Sequence, residues 1–528
     1  MRGECLQEAD VETLSGGSWS LPGTDGDGGT SMRPWAQVKE THAGVVILLG
    51  DHAFKLKKPV DLGFLDFTTL EARRAMCRKE VELNRRLAPD VYEGVADVTG
   101  PDGRVWEHLV VMRRMPDERR LSALVRVGET VEDAVCRVAR MIAGMHARSP
   151  HSSRIDEQGS VQALRSRWTA SFREVRALPE PVIDAGVLGE IERLTLRFLD
   201  GREPLFAARV TEGRIVDGHG DLLADDIFCL DDGPRILDCL EFDDRLRFVD
   251  GLDDAAFLAM DLERLGAPRL AELFLRWYAE FSGDPSPPSL WHHYVAYRAF
   301  VRAKVACLRH GQGDSDAAWE ARRLAELTLD HLQAGAVTLV LVGGLPGTGK
   351  STLAAAVADR LGCTLLASDR LRKELAGISP HHPAPAPFGE GIYRAESTRR
   401  TYTELLSRAE RLLNLGEPVV VDASWTDDAH RTAAVGLARR TRADLLALCC
   451  TAAPQVTAER LARRTGGISD ADQAIATAMT ATMAPWPDAT EIDTDAPQEQ
   501  TLNRAMTAIH AHWAGVPRRF RRPRMEPG

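Results

Sequence analysis

Nowhere in its 528 residues does the chain place two cysteines in a C-x-x-C pair. Its nine cysteines, at positions 5, 77, 136, 229, 239, 307, 363, 449 and 450, are odd in number and scattered. That excludes a disulfide framework and a zinc knuckle, and it fits a reducing cytoplasm. Long hydrophobic runs are missing too: none approaches roughly 18 residues, and no basic segment followed by an apolar one opens the chain, so neither a membrane span nor a secretory leader is expected. Positive charge is in deficit, 66 Lys+Arg against 77 Asp+Glu for a net −11, which argues against a protein that coats nucleic acid or an anionic membrane with its whole surface. The 43 Gly and 28 Pro show no excess or period, which removes collagenous and wholly disordered readings. What remains is a globular chain, 44% hydrophobic and 27% charged, long enough at roughly 100–200 residues per domain for two to four domains.

Residues 1–34, with Gly16-Gly17-Ser18 and Thr24-Asp25-Gly26-Asp27-Gly28-Gly29, are too small and polar to bury a core and are expected to be disordered. Val45–Leu49 and His52–Lys57 read as two strands of a hairpin turning at Gly50-Asp51, followed by a helix over 69–88 that stops at Ala88-Pro89-Asp90. Leu109–Met112 adds a strand. Helical spacing recurs at 131–147, 187–199, 254–265, 268–281 and 290–309, with Arg214–Val216, Ile227–Leu230 and Arg235–Leu240 extended. The texture breaks at Ala334-Gly335-Ala336. Beyond it, strands at Val337–Val342, Thr364–Leu366, Val419–Val421 and Asp444–Leu448 alternate with helices, the pattern of a parallel α/β sheet. The chain ends in an Arg-rich segment, 516–528, expected to be a disordered tail.

The sharpest motif is Gly344-Leu345-Pro346-Gly347-Thr348-Gly349-Lys350-Ser351, a G-x-x-x-x-G-K-[ST] phosphate loop between a strand and a helix. Glycines there let successive N–H groups converge on phosphate oxygens, the helix aims its positive end at them, Lys350 neutralises the β and γ phosphates, and Ser351 supplies an oxygen to Mg²⁺. With Thr352 these residues form the expected ATP site. Open α/β sheets present ligands at their strand ends. Asp369 after the second strand is therefore the candidate base and Asp422 after the third the candidate metal or acceptor ligand. Capping of the following helices is an equal alternative for both. Arg460, Arg463 and Arg464 are placed to close on the transferring phosphoryl group as a lid, with a solvated helix face as the alternative.

Together the phosphate loop, Ser368-Asp369-x-x-Arg372-Lys373, Val421-Asp422-Ala423 and the arginine helix resemble the small P-loop kinases related to gluconate kinase, polynucleotide kinase and zeta toxins. That resemblance covers about 336–500 and implies transfer of the γ-phosphate to a hydroxyl.

A second acidic cluster stands at Asp221, Asp226 and Asp238, on loops between short strands, where one carboxylate orients an acceptor hydroxyl and two hold metal, unless all three are simply solvated. His219-Gly220-Asp221 through Asp226, followed by Asp238, resembles the catalytic loop and metal Asp of the aminoglycoside phosphotransferase family, a protein-kinase-like fold. The resemblance implies Asp221 as catalytic base, Asp226 and Asp238 as metal ligands, and Lys55 as the phosphate-binding lysine paired with Glu80; Lys57 and Glu82 are rivals. Two positions depart from that family: Asp226 stands where it has Asn, and Leu223 where it usually has a second His. The extra acid adds charge beside Asp221 and Asp238 and raises proton affinity there unless metal is bound. No G-x-G-x-x-G precedes Lys55.

Over about 34–515 the chain resembles a bacterial fusion of an aminoglycoside-phosphotransferase-like domain with a C-terminal P-loop kinase domain. The expected fold is an α+β kinase-like domain at 35–330 and an α/β P-loop NTPase domain with a parallel sheet at 336–515. The expected function is ATP- and Mg²⁺-dependent phosphorylation of a small hydroxyl compound. An ATP-hydrolysing regulatory protein is the alternative, and a nucleic-acid-end kinase a third reading that rests only on the basic tail. Tyr294, Arg298, Arg302 and Lys304 are expected to serve ion pairs more than a pocket, and Asp250 and Asp254 to start and pack a helix.

Overall fold

The computed structural model describes residues 37–40, 44–61, 66–384, 387, 389–463 and 473–513. The expected disordered segment 1–34 and the tail 516–528 lie outside them. The chain divides into two compact units, one of residues 1–159 and 213–284 and the other of residues 160–212 and 285–528.

The first unit opens on five strands, β1 (Gln37–Glu40), β2 (Gly44–Leu49), β3 (His52–Lys57), β4 (Tyr92–Thr99) and β5 (Val105–Arg113), in the antiparallel order β1-β2-β3-β5-β4. The hairpin turns as expected at Gly50, whose φ of +58° suits a residue without Cβ. The helix Leu70–Asn84 starts on Thr69, whose hydroxyl accepts from the Ala72 N–H at 3.2 Å. It ends four residues before the expected stop at Ala88. There Asn84 ties the helix to a distant loop, its amide donating to Glu80 O and its side-chain oxygen accepting from the Cys239 N–H at 2.8 Å. Cys77 and Val81 of this helix pack on Ala53, Val110 and Met112 of the sheet, with Phe228 and Leu237 closing the core.

After helix Glu132–Ala147 come four short strands: β6 (Ile215–Asp217), β7 (Ile227–Leu230), β8 (Gly233–Ile236) and β9 (Phe248–Asp250), paired β6 with β9 and β7 with β8. The expected strand Arg235–Leu240 is corrected to one that stops at Ile236. The reason is Asp238, whose φ of +63° breaks the extended run and turns its carboxylate out of the ladder.

In the second unit β10 (Thr338–Gly343), β11 (Thr364–Ala367), β12 (Val419–Asp422), β13 (Asp444–Thr451) and β14 (Thr490–Asp493) form a parallel sheet in the order β11-β12-β10-β13-β14. Every residue of β10 is buried, the condition of a strand covered on both faces. Val340, Val342, Val420, Leu446 and Leu448 meet Leu353 and Val357 of the helix Lys350–Leu361 in the core. Helices Val161–Arg176, Ala185–Gly201, Pro288–Gly311 and Ala317–Ala334 belong to this unit. They join the sheet through Arg202, which donates to Thr441 O at 2.6 Å, and Ser289, which donates to Gly416 O at 2.7 Å. None of the described helices is long and apolar enough to cross a membrane.

Candidate active sites

The phosphate loop has the backbone its sequence calls for. Gly344, Gly347 and Gly349 lie at φ +139°, +85° and +78°. A Cβ on Gly344 would stand 2.7 Å from Cys450 O, and one on Gly347 2.9 Å from Thr457 O, so only glycine fits. The loop is stitched to its surroundings by the Thr348 hydroxyl, which donates to Leu345 O at 2.8 Å, and by the Thr494 hydroxyl, which donates to Thr348 O at 2.7 Å. Helix Lys350–Leu361 starts directly on Lys350 and Ser351, which puts its free N–H groups beside the loop. A cavity of about 340 Å³ opens here, lined by Lys350, Ser351 and Thr352 on one side and by Arg460, Thr494 and Gln498 on the other.

One carboxylate meets this loop and a second lies within electrostatic reach of the first. Asp422 is the last residue of β12, in register with Val342 of β10. It is buried, and its Oδ1 has no hydrogen-bond partner among the described residues. Burial pushes its pKa up, while the Lys350 ammonium and a hydrogen bond from the Ser351 hydroxyl pull it down. Asp369 lies within electrostatic reach of Asp422, in the first turn of helix Ser368–Leu375. The capping alternative fails for both. That helix has no side-chain cap, and the helix after β12 is capped by Asp427, which accepts from the Ala429 N–H at 2.9 Å.

One turn along from Asp369, Arg372 is buried, donating from Nη1 to Thr398 Oγ1 at 3.0 Å and to Ile392 O at 3.2 Å, with its Nε unpartnered among the described residues. Tyr402, 3.2 Å from the Ser424 hydroxyl and stacked on His430 at 3.8 Å, completes this wall. Arg460 does reach the loop: it donates to Thr494 O at 2.7 Å and to Thr494 Oγ1 at 3.2 Å, and its Nη1 is 3.5 Å from Gly347 O. Arg463 is instead exposed, on the solvated face. Arg464 lies outside the described residues.

In the first unit Lys55 Nζ stands 2.9 Å from Glu80, which is wholly buried, and contacts Asp238 as well. Lys57 also reaches Glu80, at 2.6 Å, and pairs with Glu241, whereas Glu82 is exposed. Burial alone would discharge Lys55, but Asp238 and Glu80 outweigh it and hold the ammonium well above its usual range. Lys55 in turn holds Asp238 down. Asp226 behaves oppositely: burial, then Asp238 and Asp221, raise its carboxyl well above the usual range. Asp221, Asp226 and Asp238 thus share one electrostatic site.

Asp250 caps helix Gly251–Arg264, accepting from the Leu252 N–H at 2.9 Å. Asp254 does more than pack. Buried, it accepts from the backbone N–H groups of His219 at 2.7 Å and Gly220 at 2.8 Å and from His146 Nε2 at 2.9 Å, so it sets the turn that carries Asp221. Nothing in its spacing announced this contact, and nothing announced Thr494, because β14 has no hydrophobic run to flag it. Lys304 pairs with Glu174 at 2.8 Å, an ion pair as expected.

The donor sets fit Mg²⁺-nucleotides. Among the described residues no three His, Cys, Asp or Glu side chains form a ready metal cage. Mg²⁺ does not require one, since it keeps waters and phosphate oxygens as ligands and takes one or two carboxylates or hydroxyls from the protein. The unpartnered Asp422 Oδ1 beside Ser351 meets that need.

Residues 339–486 match the family model described as an AAA domain. The uncharacterized protein Rv2004c of Mycobacterium tuberculosis (strain ATCC 25618 / H37Rv) is 45% identical over 472 residues, 89% of this chain and 95% of that protein. The chain belongs to that protein's family. A counterpart in Mycobacterium bovis has the same identity over the same length. Among solved structures, a GDP complex of aminoglycoside 2'-phosphotransferase-IIIa is similar over 57% of this chain and 93% of its own, at 20% identity and TM-score 0.37. A gluconokinase from Sinorhizobium meliloti 1021 is similar over 33% of this chain and 92% of its own, at 20% identity and TM-score 0.25. In this family member the stretch that matches the AAA-domain model carries the phosphate loop and four of the five strands around it, β10 to β13.

Proposed function

We propose that the second unit transfers the γ-phosphate of ATP to a hydroxyl of a small molecule. The observation that carries this reading is the Asp422 carboxylate, buried with one oxygen unpartnered among the described residues, beside Ser351 and Lys350 and within electrostatic reach of Asp369. Gly344–Thr352 and Arg460 hold the nucleotide. Ser351 and Asp422 would hold Mg²⁺, which when bound would screen the phosphate charge. Asp369 accepts the proton of the acceptor hydroxyl as the phosphoryl group moves, and Arg372 and Tyr402 line the acceptor side. A pure ATPase has no need of a half-buried carboxylate and a buried guanidinium one turn apart on the helix after β11, and Asp369 and Arg372 there support an acceptor. The first unit binds a second Mg²⁺-nucleotide through Lys55, Glu80, Asp226 and Asp238, with Asp221 as its base. Its crowded carboxylates support weaker transfer there.

The test is ADP release by wild type, Lys350→Ala and Asp221→Ala, with pooled sugars, aminocyclitols and nucleosides as acceptors. Stimulation by one pool that Lys350→Ala abolishes and Asp221→Ala spares is the expected result. Turnover indifferent to every pool would replace the kinase reading with ATP-driven regulation.

A further inference from the structure

Away from the phosphate loop the second unit holds a small cationic cavity. It lies at the N-terminal end of the parallel sheet, where Val337 leads into β10 and Asp444 begins β13, the two joined by the Asp444 N–H to Val337 O bond of 2.9 Å. The phosphate loop begins at the other end of the same strand, about 20 Å away at roughly 3.3 Å per residue. Arg197, Phe198, Arg202, His293, Arg442 and Asp444 line the cavity, which measures about 30 Å³, room for two to three water-sized atoms.

Two of its polar side chains keep nitrogens without a protein partner among the described residues. Arg202 is 1% exposed; its Nη1 donates to Gly201 O at 2.7 Å and Thr441 O at 2.6 Å, and its Nε has no partner among the described residues. The cavity's acid, Asp444, is engaged by Arg197 at 2.6 Å and also attracts the Arg202 guanidinium through space, and the Phe198 ring lies 5.6 Å from that guanidinium. Burial pushes the Arg202 guanidinium down to about 9, which leaves it a cation at neutral pH. His293 is also 1% exposed and stacked on Phe198 at 4.5 Å, and both of its ring nitrogens are unpartnered among the described residues.

A buried guanidinium that shares its one nearby acid with another arginine and keeps an unpartnered Nε costs more than a neutral residue of the same shape. The backbone is strained around it as well. Arg442 is held at φ +54°, and Gly201 is packed so closely that a Cβ would stand 2.4 Å from Thr441 O. Three arginines against one acid leave the lining at +2, with the unpartnered His293 imidazole to donate or accept beside His331, which is paired with His292.

We infer that this cavity is a binding site for a small oxyanion, held by Arg202 Nε, His293 and the Arg197 and Arg442 guanidinia, separate from the phosphate loop of the same unit. The shared chemistry is a compact anionic oxygen group, supplied either by inorganic phosphate or by a carboxylate.

The test uses the full chain carrying Lys350→Ala, so that phosphate captured by the phosphate loop does not intrude. It is titrated calorimetrically with inorganic phosphate and separately with acetate. Arg442→Gly relieves a left-handed backbone position and leaves the core untouched, so it is expected to fold and to weaken anion binding about threefold; Arg202→Met is expected to weaken it tenfold or more. If Arg202→Met does not fold, Arg442→Gly together with Arg197→Gln decides. Phosphate binding that these variants weaken supports the site and assigns the inorganic source, and acetate binding that they weaken supports it with a carboxylate ligand. Absence of binding, or binding that none of the variants alters, overturns the proposal and leaves the cavity to water.

Discussion

Asp422 faces Val342 across the paired strands β12 and β10, two residues before the phosphate loop begins at Gly344, and this register brings its carboxylate to Ser351 and Lys350. A carboxylate buried in that place burdens the fold, and under the proposed function it also serves the reaction. Burial raises its native pKa, so the native state binds more protons than the unfolded chain, and stability falls as pH rises from the unfolded carboxylate range through the native value. Asp422→Asn is therefore expected to keep or raise the melting temperature at neutral pH while lowering acceptor-dependent turnover about a hundredfold or more. A parallel loss of folding and activity in thermal scans and ADP-release assays would count against the metal role.

Asp369→Asn tests the base. Nucleotide affinity is expected to stay within about twofold of wild type while acceptor phosphorylation falls by about 10²–10⁴, the range removed with a general base. Fluorescent-nucleotide titration and product formation measured side by side separate the two effects. A matched loss in both would move Asp369 from catalysis to binding.

Arg460 is held over the loop by its bonds to Thr494 O and Oγ1. Arg460→Ala is expected to weaken nucleotide binding about tenfold, the scale of one charge-assisted hydrogen bond, and Thr494→Val to give a smaller loss in the same direction because it frees the guanidinium. Arg463→Ala, at an exposed position, is the control and is expected to change nothing.

The two lysines of β3 should part company. Lys57 is nearly enclosed, its side chain 4% exposed against 21% for Lys55, and it sits between Glu80 and Glu241. Lys57→Ala strands buried carboxylates and is expected to destabilise the first unit by about 3–5 kcal/mol. Lys55→Ala leaves Glu80 with Lys57 and is expected to remove nucleotide binding at that unit at a smaller cost in stability. Denaturant unfolding of both variants, with nucleotide titration on a Lys350→Ala background, distinguishes them.

Asp226 titrates against its neighbours. Its raised native pKa means that stability is lost as pH climbs through that value, and Asp226→Asn removes the loss. The variant is expected to melt about 3 °C above wild type at pH 8 in EDTA, with the gap closing at low pH or in excess Mg²⁺, which neutralises the carboxylates of wild type. An equal gap at every pH would show that charge is not the cause.

Much of this was legible in advance for a simple reason: where a function needs consecutive residues, the chain states it outright. Gly344–Ser351 is such a run, and the buried strands of the second sheet announce themselves because both faces are covered. The left-handed turn at Asp238, by contrast, hides inside a run that reads as extended, since a short polar residue tolerates positive φ and leaves no compositional mark. The early end of the first helix is hidden too, because the Asn84 amide answers Cys239, 155 residues further along.

By itself the sequence determined the phosphate loop, the alternating β/α order that carries it, and the presence of a second acidic cluster, because local spacing and burial periodicity are properties of the chain. Only the tertiary structure decided that Glu80 rather than Glu82 meets Lys55, that Asp254 props the turn before Asp221, that Thr494 anchors Arg460, and that Arg202 and His293 face one cavity. Each of these joins residues far apart in the chain or turns on which face of an element is buried. Pairings of that kind are selected by packing and by the cost of leaving a buried polar group alone, and those forces act only once the chain has closed on itself.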